Sequence, residues 1–362
     1  MDTRKDQDQG SLPGAMVARS LEPEMLGMDE ATGMPEPGNR LEQNPPTPLQ
    51  ESFRRLLRDK RAMFSMGLIL LFILIAIVGP FIYQHIGGPY VSNVNAVTYG
   101  PQDYHNFSHE ELDRQNEMPS AQYWLGTDEL GRDILARLMQ GILVSIMVAV
   151  IVEIVDVVLG ITIGVLAGYY GGWIDQFLAR FADLMFAFPG LLLIILVSGI
   201  FGSAADSAFD KIPVVGANGN ARLLLVSLVL AVTIWPLMAR YVRGQTLQLK
   251  EQQFIEAART SGTKNTRIIL RHIIPNLISI VIVAATLNIS STIVAEAGIS
   301  LLGLGVQPPG SSIGLMISSA TQYIQSDYWA VLVPSVTLAL IVLAFSFLGD
   351  GLRDAFDPRS KS

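Results

Sequence analysis

Six long apolar runs constrain this chain more than any other feature of its sequence. Each run is about 20 residues or longer, which is enough for a helix to cross the hydrocarbon core of a bilayer. The chain is 50% hydrophobic and only 16% charged, too apolar for an ordinary soluble domain. The sequence therefore predicts an all-α integral membrane protein with six transmembrane helices. The predicted spans are 65–83, 141–169, 177–201, 223–242, 277–299 and 329–348.

The placement of lysine and arginine predicts the orientation of these spans. If the N-terminus is inside, the inner segments hold sixteen of these residues and the outer segments hold five. Inner loops of membrane proteins carry the excess of positive charge. The sequence therefore predicts that both termini and the segment 243–275 are cytoplasmic, whereas the long acidic segment 84–139 is outside.

The two ends of the chain differ in character from the membrane domain at 65–352. Residues 1–50 are rich in Pro, Gly and Gln and lack apolar periodicity, so they are predicted to form a disordered cytoplasmic tail. Residues 51–64 combine apolar side chains on one face with a cluster of arginines, which predicts an interfacial amphipathic helix on membrane lipid. Residues 353–362 are predicted to be a cytoplasmic C-terminal tail.

A polar, basic stretch from Glu251 to Pro275 separates the fourth and fifth apolar runs. Phe254, Ala257, Ala258 and Ser261 recur at helical spacing and are predicted to form an inner stripe of that helix. Gly262 then interrupts the pattern, because glycine accepts a positive φ at a helix end without strain. The stretch is predicted to be a helix, a glycine turn and a second helix at the membrane surface.

The string EAARTSG at 256–262, followed by Pro275 thirteen residues after Gly262, resembles the EAA loop of permease subunits of ATP-binding-cassette importers. His272 and Ile274 depart slightly from the general pattern of that loop. The resemblance implies that 243–275 contains a cytoplasmic coupling helix that docks on an ATPase subunit. The residues that it assigns to coupling are Glu256, Ala257, Ala258, Arg259 and Gly262.

Three further strings resemble the oligopeptide/dipeptide/nickel group of these permeases and occur in the order found there. They are YWLGTDELGRDIL at 123–135, EAGISLLGLGVQPPGSSIGLMI at 296–317 and LGDGLRDAFDPR at 348–359. Within the first string, Thr127 is predicted to cap the N-terminus of a helix. The resemblance covers about 50–360 and implies a type I importer permease fold, as a C-type inner-membrane subunit.

That resemblance also implies a function and a set of partners. The chain would form half of the translocation path of an ATP-driven importer of oligopeptides or dipeptides in a bacterial or archaeal inner membrane. Its partners would be a homologous permease subunit in a heterodimer, two cytoplasmic ATPase subunits, an extracytoplasmic solute-binding protein and the peptide substrate, with no nucleic acid. The sequence contains no G-x-x-x-x-G-K-[ST] motif, so no catalytic residue or cofactor is predicted here, and ATP and magnesium are expected on the partner subunits.

Two alternative functions remain open from the sequence. The same architecture could import nickel or another small solute, and a secondary transporter or channel would work without ATPase partners. His105 and His109 stand four residues apart in the outer segment, beside Glu110 and Glu111. Four metal ligands are not evident there, so no metal site is predicted.

Polar residues inside the predicted spans are the remaining candidates. Glu153 and Asp156 lie on one face of the second span and either line a path or gate or form a packing pair, which we favour. A polar stripe in the fifth span either faces the translocation path, the preferred interpretation, or bonds to another span. The stripe consists of Asn288, Ser291, Thr292 and Glu296.

Overall fold

The computed structural model describes residues 48–209 and 221–356. Almost all of the predicted tail at 1–50 and the last residues of the predicted tail at 353–362 lie outside these described residues. The helices in chain order are α1 (Pro48–Leu56), α2 (Lys60–Tyr83), α3 (Pro101–Tyr104), α4 (Ile134–Tyr170), α5 (Gly172–Ala187), α6 (Gly190–Phe209), α7 (Ala221–Lys250), α8 (Gln253–Thr260), α9 (Asn265–Ile268), α10 (Ile274–Leu301), α11 (Ile313–Thr321) and α12 (Tyr328–Phe356).

Six helical segments in the described part of the chain are long and apolar enough to cross a membrane, which confirms the predicted number of spans. They are α2, α4, α6, α7, α10 together with the turns preceding it, and α12. The other regular elements are a two-stranded antiparallel hairpin, β1 (Tyr90–Val91) with β2 (Thr98–Tyr99), a 3₁₀ turn at Leu112–Arg114 and a π-helical segment at Ile269–Ile273.

The predicted third span at 177–201 is wrong in its first half. Residues 177–187 belong to α5, and the spanning helix α6 begins only at Gly190. Phe188 separates the two helices with an extended backbone (φ −77°, ψ 128°). The proline that follows it disfavours the helical conformation for the preceding residue, and this explains the break.

The helix α4 is the centre of the fold, because it contacts α2, α5, α7, α10 and α11. Its closest neighbour is α7, and three α4 glycines at four-residue spacing, Gly160, Gly164 and Gly168, face that helix. A Cβ atom on Gly164 would lie 2.6 Å from the backbone oxygen of Ala239. Small residues at this spacing let two helix backbones approach closely within a membrane.

The outer segment between α2 and α4 is ordered around buried aromatic rings. Tyr104 and Tyr123 are fully buried, and the guanidinium of Arg114 lies 4.9 Å from the centre of the Tyr123 ring. His105 is also buried, with its Nδ1 atom 2.6 Å from Oδ2 of Asp133. The segment is therefore attached directly to the residue that precedes α4.

The helix α4 begins later than the cap predicted at Thr127. The Thr127 hydroxyl is turned towards the preceding segment, where it donates to the backbone oxygen of Arg114. The N-cap is instead Asp133, whose Oδ1 accepts hydrogen bonds from the backbone N–H groups of Leu135 (2.8 Å) and Ala136 (3.2 Å). A carboxylate at this position also has a favourable interaction with the helix dipole.

Candidate functional site

The loop between α7 and α10 contains the predicted helix, glycine turn and second helix. The first helix is α8, and Gly262 follows it with φ +74°. Its N–H donates to the backbone oxygen of Arg259 (2.9 Å), and the N–H of Thr263 donates to that of Ala258 (3.1 Å). These two bonds form a Schellman motif, which fixes the direction in which the chain leaves the helix.

The face that α8 turns inward differs from the predicted inner stripe. Ile255 is fully buried, whereas Phe254 is 44% exposed, and Ala257 and Ser261 are also exposed. Ile255 is buried because it packs with Ile268 and Ile273. These two residues belong to the second arm of the loop, which consists of α9 and the π-helical segment (265–273). Three residues of the predicted stripe, Phe254, Ala257 and Ser261, are thus open to a partner, with Glu256 and Arg259 exposed beside them. The fourth, Ala258, is half-buried and packs against the Ile255 cluster.

Side chains from α4 anchor this loop to the membrane domain. The Tyr169 hydroxyl donates to Oδ1 of Asn265 at 2.9 Å, and the Arg259 guanidinium lies 5.2 Å from the centre of the Tyr169 ring. Ile268 and Ile273 are fully buried against the end of α4 and the start of α10. These contacts join the loop to α4 and α10.

Two ion pairs that the sequence analysis did not identify attach α5 to α7. Arg243 donates to both carboxylate oxygens of Asp175, at 2.5 and 2.7 Å, and Arg240 donates to Asp183 at 2.7 Å. The hydrogen bonds from Arg243 hold the pKa of the Asp175 carboxyl below its ordinary value. A sequence signal existed, since acidic residues recur on α5 and arginines on α7, but their pairing needs the tertiary arrangement.

The side chains of the polar stripe in the fifth span lie in different environments. Glu296 is 2% exposed and accepts hydrogen bonds from the hydroxyls of Ser145 on α4 (2.8 Å) and Ser300 on its own helix (2.7 Å). Thr292 is also buried, whereas Ser291 is exposed and Asn288 is half-buried. The interior of the chain thus encloses Glu296 and Thr292, whereas Asn288 and Ser291 reach its surface, and the path-lining role of the stripe stays a prediction.

The acid pair of the second span is buried next to α10. Glu153 is 6% exposed and Asp156 is fully buried. The Asn288 amide donates to Oδ2 of Asp156 at 3.4 Å. No hydrogen-bond partner for either carboxylate oxygen of Glu153 is found among the described residues. Both acids therefore face protein rather than lipid, and the choice between a packing pair, which we favour, and a path or gate contact stays a prediction.

Changing Glu153 to Gln and Asp156 to Asn together is expected to leave assembly intact and transport near the wild-type level. The amides remove most of the cost of burying charge and keep the bond between position 156 and Asn288. The measurement is substrate uptake by membrane vesicles, normalised to the amount of assembled protein. A large loss of uptake with normal assembly would instead place the pair in the path or its gate.

Comparisons with known proteins show the family of this chain. A family model described as "Binding-protein-dependent transport system inner membrane component" matches residues 160–362, more than half of the chain. The chain belongs to this family. A second model, the N-terminal transmembrane domain of oligopeptide transport permease C, matches residues 47–106. The protein is thus a multi-pass inner-membrane permease of the oligopeptide/dipeptide group of ATP-binding-cassette importers, as the sequence motifs indicated.

The curated relatives of this permease match over almost their full length. A dipeptide transport system permease protein of Alkalihalophilus pseudofirmus is 36% identical over 318 residues, covering 87% of this chain and 91% of the relative. A glutathione transport system permease protein of Salmonella typhimurium is 38% identical over 315 residues, covering 87% and 92%. Among solved structures, an inward-facing MetNI methionine ABC transporter matches 60% of this chain and 95% of its own, with 20% identity and a TM-score of 0.46.

Proposed function

We propose that this permease is one of two homologous permease subunits in an ATP-driven importer of short peptides. The observation that carries the proposal is the near full-length similarity to permeases named for dipeptide and glutathione transport. The exposed face of α8 adds support, because a permease that depends on separate ATPases needs a surface on which they dock. The chain provides half of the path and one coupling helix.

The proposed coupling residues are those assigned from the sequence: Glu256, Ala257, Ala258, Arg259 and Gly262. All of them except Ala258 are exposed. They lie on α8 or in the turn that follows it, and Ile255 is buried on the opposite side of that helix. Two ATPase subunits dock on this helix and its counterpart in the second permease subunit. ATP and magnesium bind to those ATPases, and this chain performs no covalent chemistry.

The proposed half of the path is a groove of about 480 Å³ between α7, α10 and the end of α12. Asn288 lines the groove, and Ser291, one helical turn further on, is exposed. The other lining residues are Tyr241, Ile280, Val283, Ala284, Leu287, Arg353 and Phe356. The second permease subunit closes this groove, and an extracytoplasmic binding protein delivers the peptide from the other side.

The orientation proposed is the one that the positive-inside rule predicts. It places α8, the N-terminus and the C-terminus in the cytoplasm, where ATPase subunits are found. Import of nickel or another small solute would use the same architecture, and a secondary transporter would need no ATPase. The comparisons do not favour either alternative, because the relatives are named for dipeptide and glutathione transport.

The test is uptake by the reconstituted complex. The chain is purified with its permease, ATPase and binding-protein partners, placed in vesicles and supplied with a labelled dipeptide, glutathione or nickel. We expect uptake of a peptide that requires both ATP and the binding protein. Uptake of nickel but of neither peptide would show that the substrate is nickel and not a peptide. Uptake without ATP would contradict the assignment to ATP-driven importers.

Deleting residues 1–45 is expected to leave assembly and peptide uptake largely unchanged. The composition of this stretch cannot supply a buried core, so its removal is not expected to lower the stability of the chain. The measurement compares uptake by the truncated and full chains at equal membrane levels. Uptake at background would show that the tail carries a docking or regulatory segment.

A further inference from the structure

The groove proposed as half of the path has one charged side chain among the described residues that line it, Arg353. Five of the other lining residues are apolar, and Tyr241 and Asn288 supply the remaining polar side-chain atoms. Ligand sites in proteins commonly combine apolar walls with a few polar groups in a volume of about 300–1,000 Å³. The groove, at about 480 Å³, therefore has the composition of a site for a small ligand with a negative charge.

Arg353 has an exposed side chain in the last turn of α12. No ion pair or hydrogen bond to its guanidinium is found among the described residues. The five N–H donors of an arginine form a planar fork that matches the two oxygens of a carboxylate. The groove therefore contains a cation whose hydrogen-bonding groups are open to a ligand.

Arg353 and Asn288 lie close together along the groove. Gly349, one turn before Arg353, packs against Leu287, the residue next to Asn288: a Cβ atom on Gly349 would lie 2.5 Å from Cδ2 of Leu287. The helices α10 and α12 are antiparallel here. At about 1.5 Å per residue, the backbones of Arg353 and Asn288 are about 7 Å apart along the helix axes. Helical side chains lean towards the N-terminus of their own helix, so the guanidinium and the amide lean towards each other.

The Asn288 amide is held through its nitrogen. This nitrogen donates to Oδ2 of Asp156 at 3.4 Å. No donor to the amide oxygen of Asn288 is found in the described part of the chain. The groove thus offers two complementary groups side by side, a guanidinium that donates and an amide oxygen that accepts.

We propose that Arg353 binds the C-terminal carboxylate of the transported peptide, while the Asn288 oxygen accepts the backbone N–H of the same terminal residue. The inference rests on the proposed function and names the part of the substrate that the path recognises. Two parallel hydrogen bonds join the guanidinium to the carboxylate. The side chain of the terminal residue packs on the apolar wall formed by Ile280, Val283 and Ala284. Recognition thus uses the carboxylate and the N–H, which peptides of different sequence share.

The combination of groups favours a peptide end over other anions. A phosphate or an acidic side chain offers negative charge without a backbone N–H on the same residue that is free to donate, whereas the terminal residue of a peptide offers both. A purely structural role is the alternative, because a cation at the C-terminal end of a helix interacts favourably with the helix dipole. That role predicts no difference between a free peptide and one whose carboxylate is amidated.

The test is competitive photolabelling of the assembled permease and ATPase subunits without the binding protein, so that only the path is probed. The probe is a dipeptide whose C-terminal side chain carries a diazirine. We expect crosslinks within 280–288 and 353–356. An unlabelled dipeptide should displace the probe at about tenfold lower concentration than the same dipeptide with a C-terminal amide, since the amide loses the hydrogen bonds to a charged group.

The variant Arg353→Gln is expected to remove this tenfold preference for the free dipeptide. The matched control is Arg58→Gln, which removes an exposed cation between α1 and α2, outside the groove. The control should keep both the crosslinks and the preference.

Four results would overturn the proposal. Equal displacement by the free and the amidated dipeptide in the wild-type complex would do so even if the variants fail to assemble, and so would probe crosslinks outside the groove. An unchanged preference in Arg353→Gln would remove the role of that residue. Displacement by inorganic phosphate at the same concentration as the dipeptide would show a general anion site. Uptake of peptide that requires ATP and the binding protein is measured separately, so the proposed function can hold when this inference fails.

Discussion

Replacing Gly262 by valine is expected to separate ATP hydrolysis from peptide uptake while the chain still inserts normally. Gly262 has φ +74°, and a β-branched residue is a genuine outlier in that region. Space is not the obstacle, because no atom lies within 4 Å of a Cβ atom built at this position. Backbone strain alone would therefore open the turn after α8 and change the direction of that helix, the proposed docking helix.

Gly262→Val is expected to reduce the coupling of ATP hydrolysis to uptake more than Glu256→Gln does. Switching a two-state transporter from mostly one state to mostly the other takes about 5.5 kcal/mol of differential binding. A single exposed salt bridge supplies at most about 1 kcal/mol, so Glu256 alone cannot provide the coupling. Under our proposal the whole docked helix provides the coupling, and the turn at Gly262 sets the direction of that helix.

The matched control is Gly262→Asn, since asparagine tolerates a positive φ far better than valine does. The measurements are the ratio of copurified ATPase to permease and the uptake per ATP hydrolysed in reconstituted vesicles. The asparagine variant should resemble the wild type, whereas the valine variant should lose the ATPases or hydrolyse ATP without uptake. Normal uptake by the valine variant would remove the coupling assignment from this loop.

Replacing Gly164 by leucine is expected to destabilise the membrane domain strongly. A Cβ atom at this position would lie 2.6 Å from the backbone oxygen of Ala239 and 2.8 Å from Cβ of Val242. Backbone atoms cannot move aside as a flexible side chain can, so α4 and α7 would have to separate. Overpacking of this kind costs about 1–3 kcal/mol, which corresponds to a fall in Tm of roughly 5–10 °C at the upper end.

The control for this prediction is Gly67→Leu in α2, where no atom lies within 4 Å of a Cβ atom. That glycine is exposed in the chain, so leucine there meets no other helix of this protein. The measurement is the thermal unfolding of each purified variant in the same detergent. Equal unfolding temperatures for the two leucine variants would mean that the close contact between α4 and α7 is not needed for stability.

The features that depend on local sequence were predictable. The number of spans follows from the length of each apolar run, and the turn at Gly262 follows from the conformation that glycine permits after a helical pattern. The cap of α4 was placed at Thr127 on the same local grounds and was wrong. The Thr127 hydroxyl has a competing backbone partner at Arg114, thirteen residues away, and no local rule contains that partner.

The features that depend on packing between helices were not predictable from one sequence. Ile255 is buried because the second arm of the loop folds back over it, so the inner face of α8 could not be chosen from the helix alone. Glu296 belongs to the interior because Ser145, 151 positions earlier, lies opposite it. The polarity of the fifth span was visible in the sequence, but the side chains that it meets depend on the arrangement of the spans.

The helix α4 is long enough to connect two distant parts of the chain. One uninterrupted helix of 37 residues joins the segment between α2 and α4, through the contact of His105 with Asp133, to the loop that contains α8, through the contact of Tyr169 with Asn265. When such a rod tilts about its middle, its ends move in opposite directions and its centre hardly moves. Glu153 lies next to that centre, so a tilt of this kind would displace the acid pair least. Buried carboxyl groups can keep the same neighbours there while both ends of the helix travel.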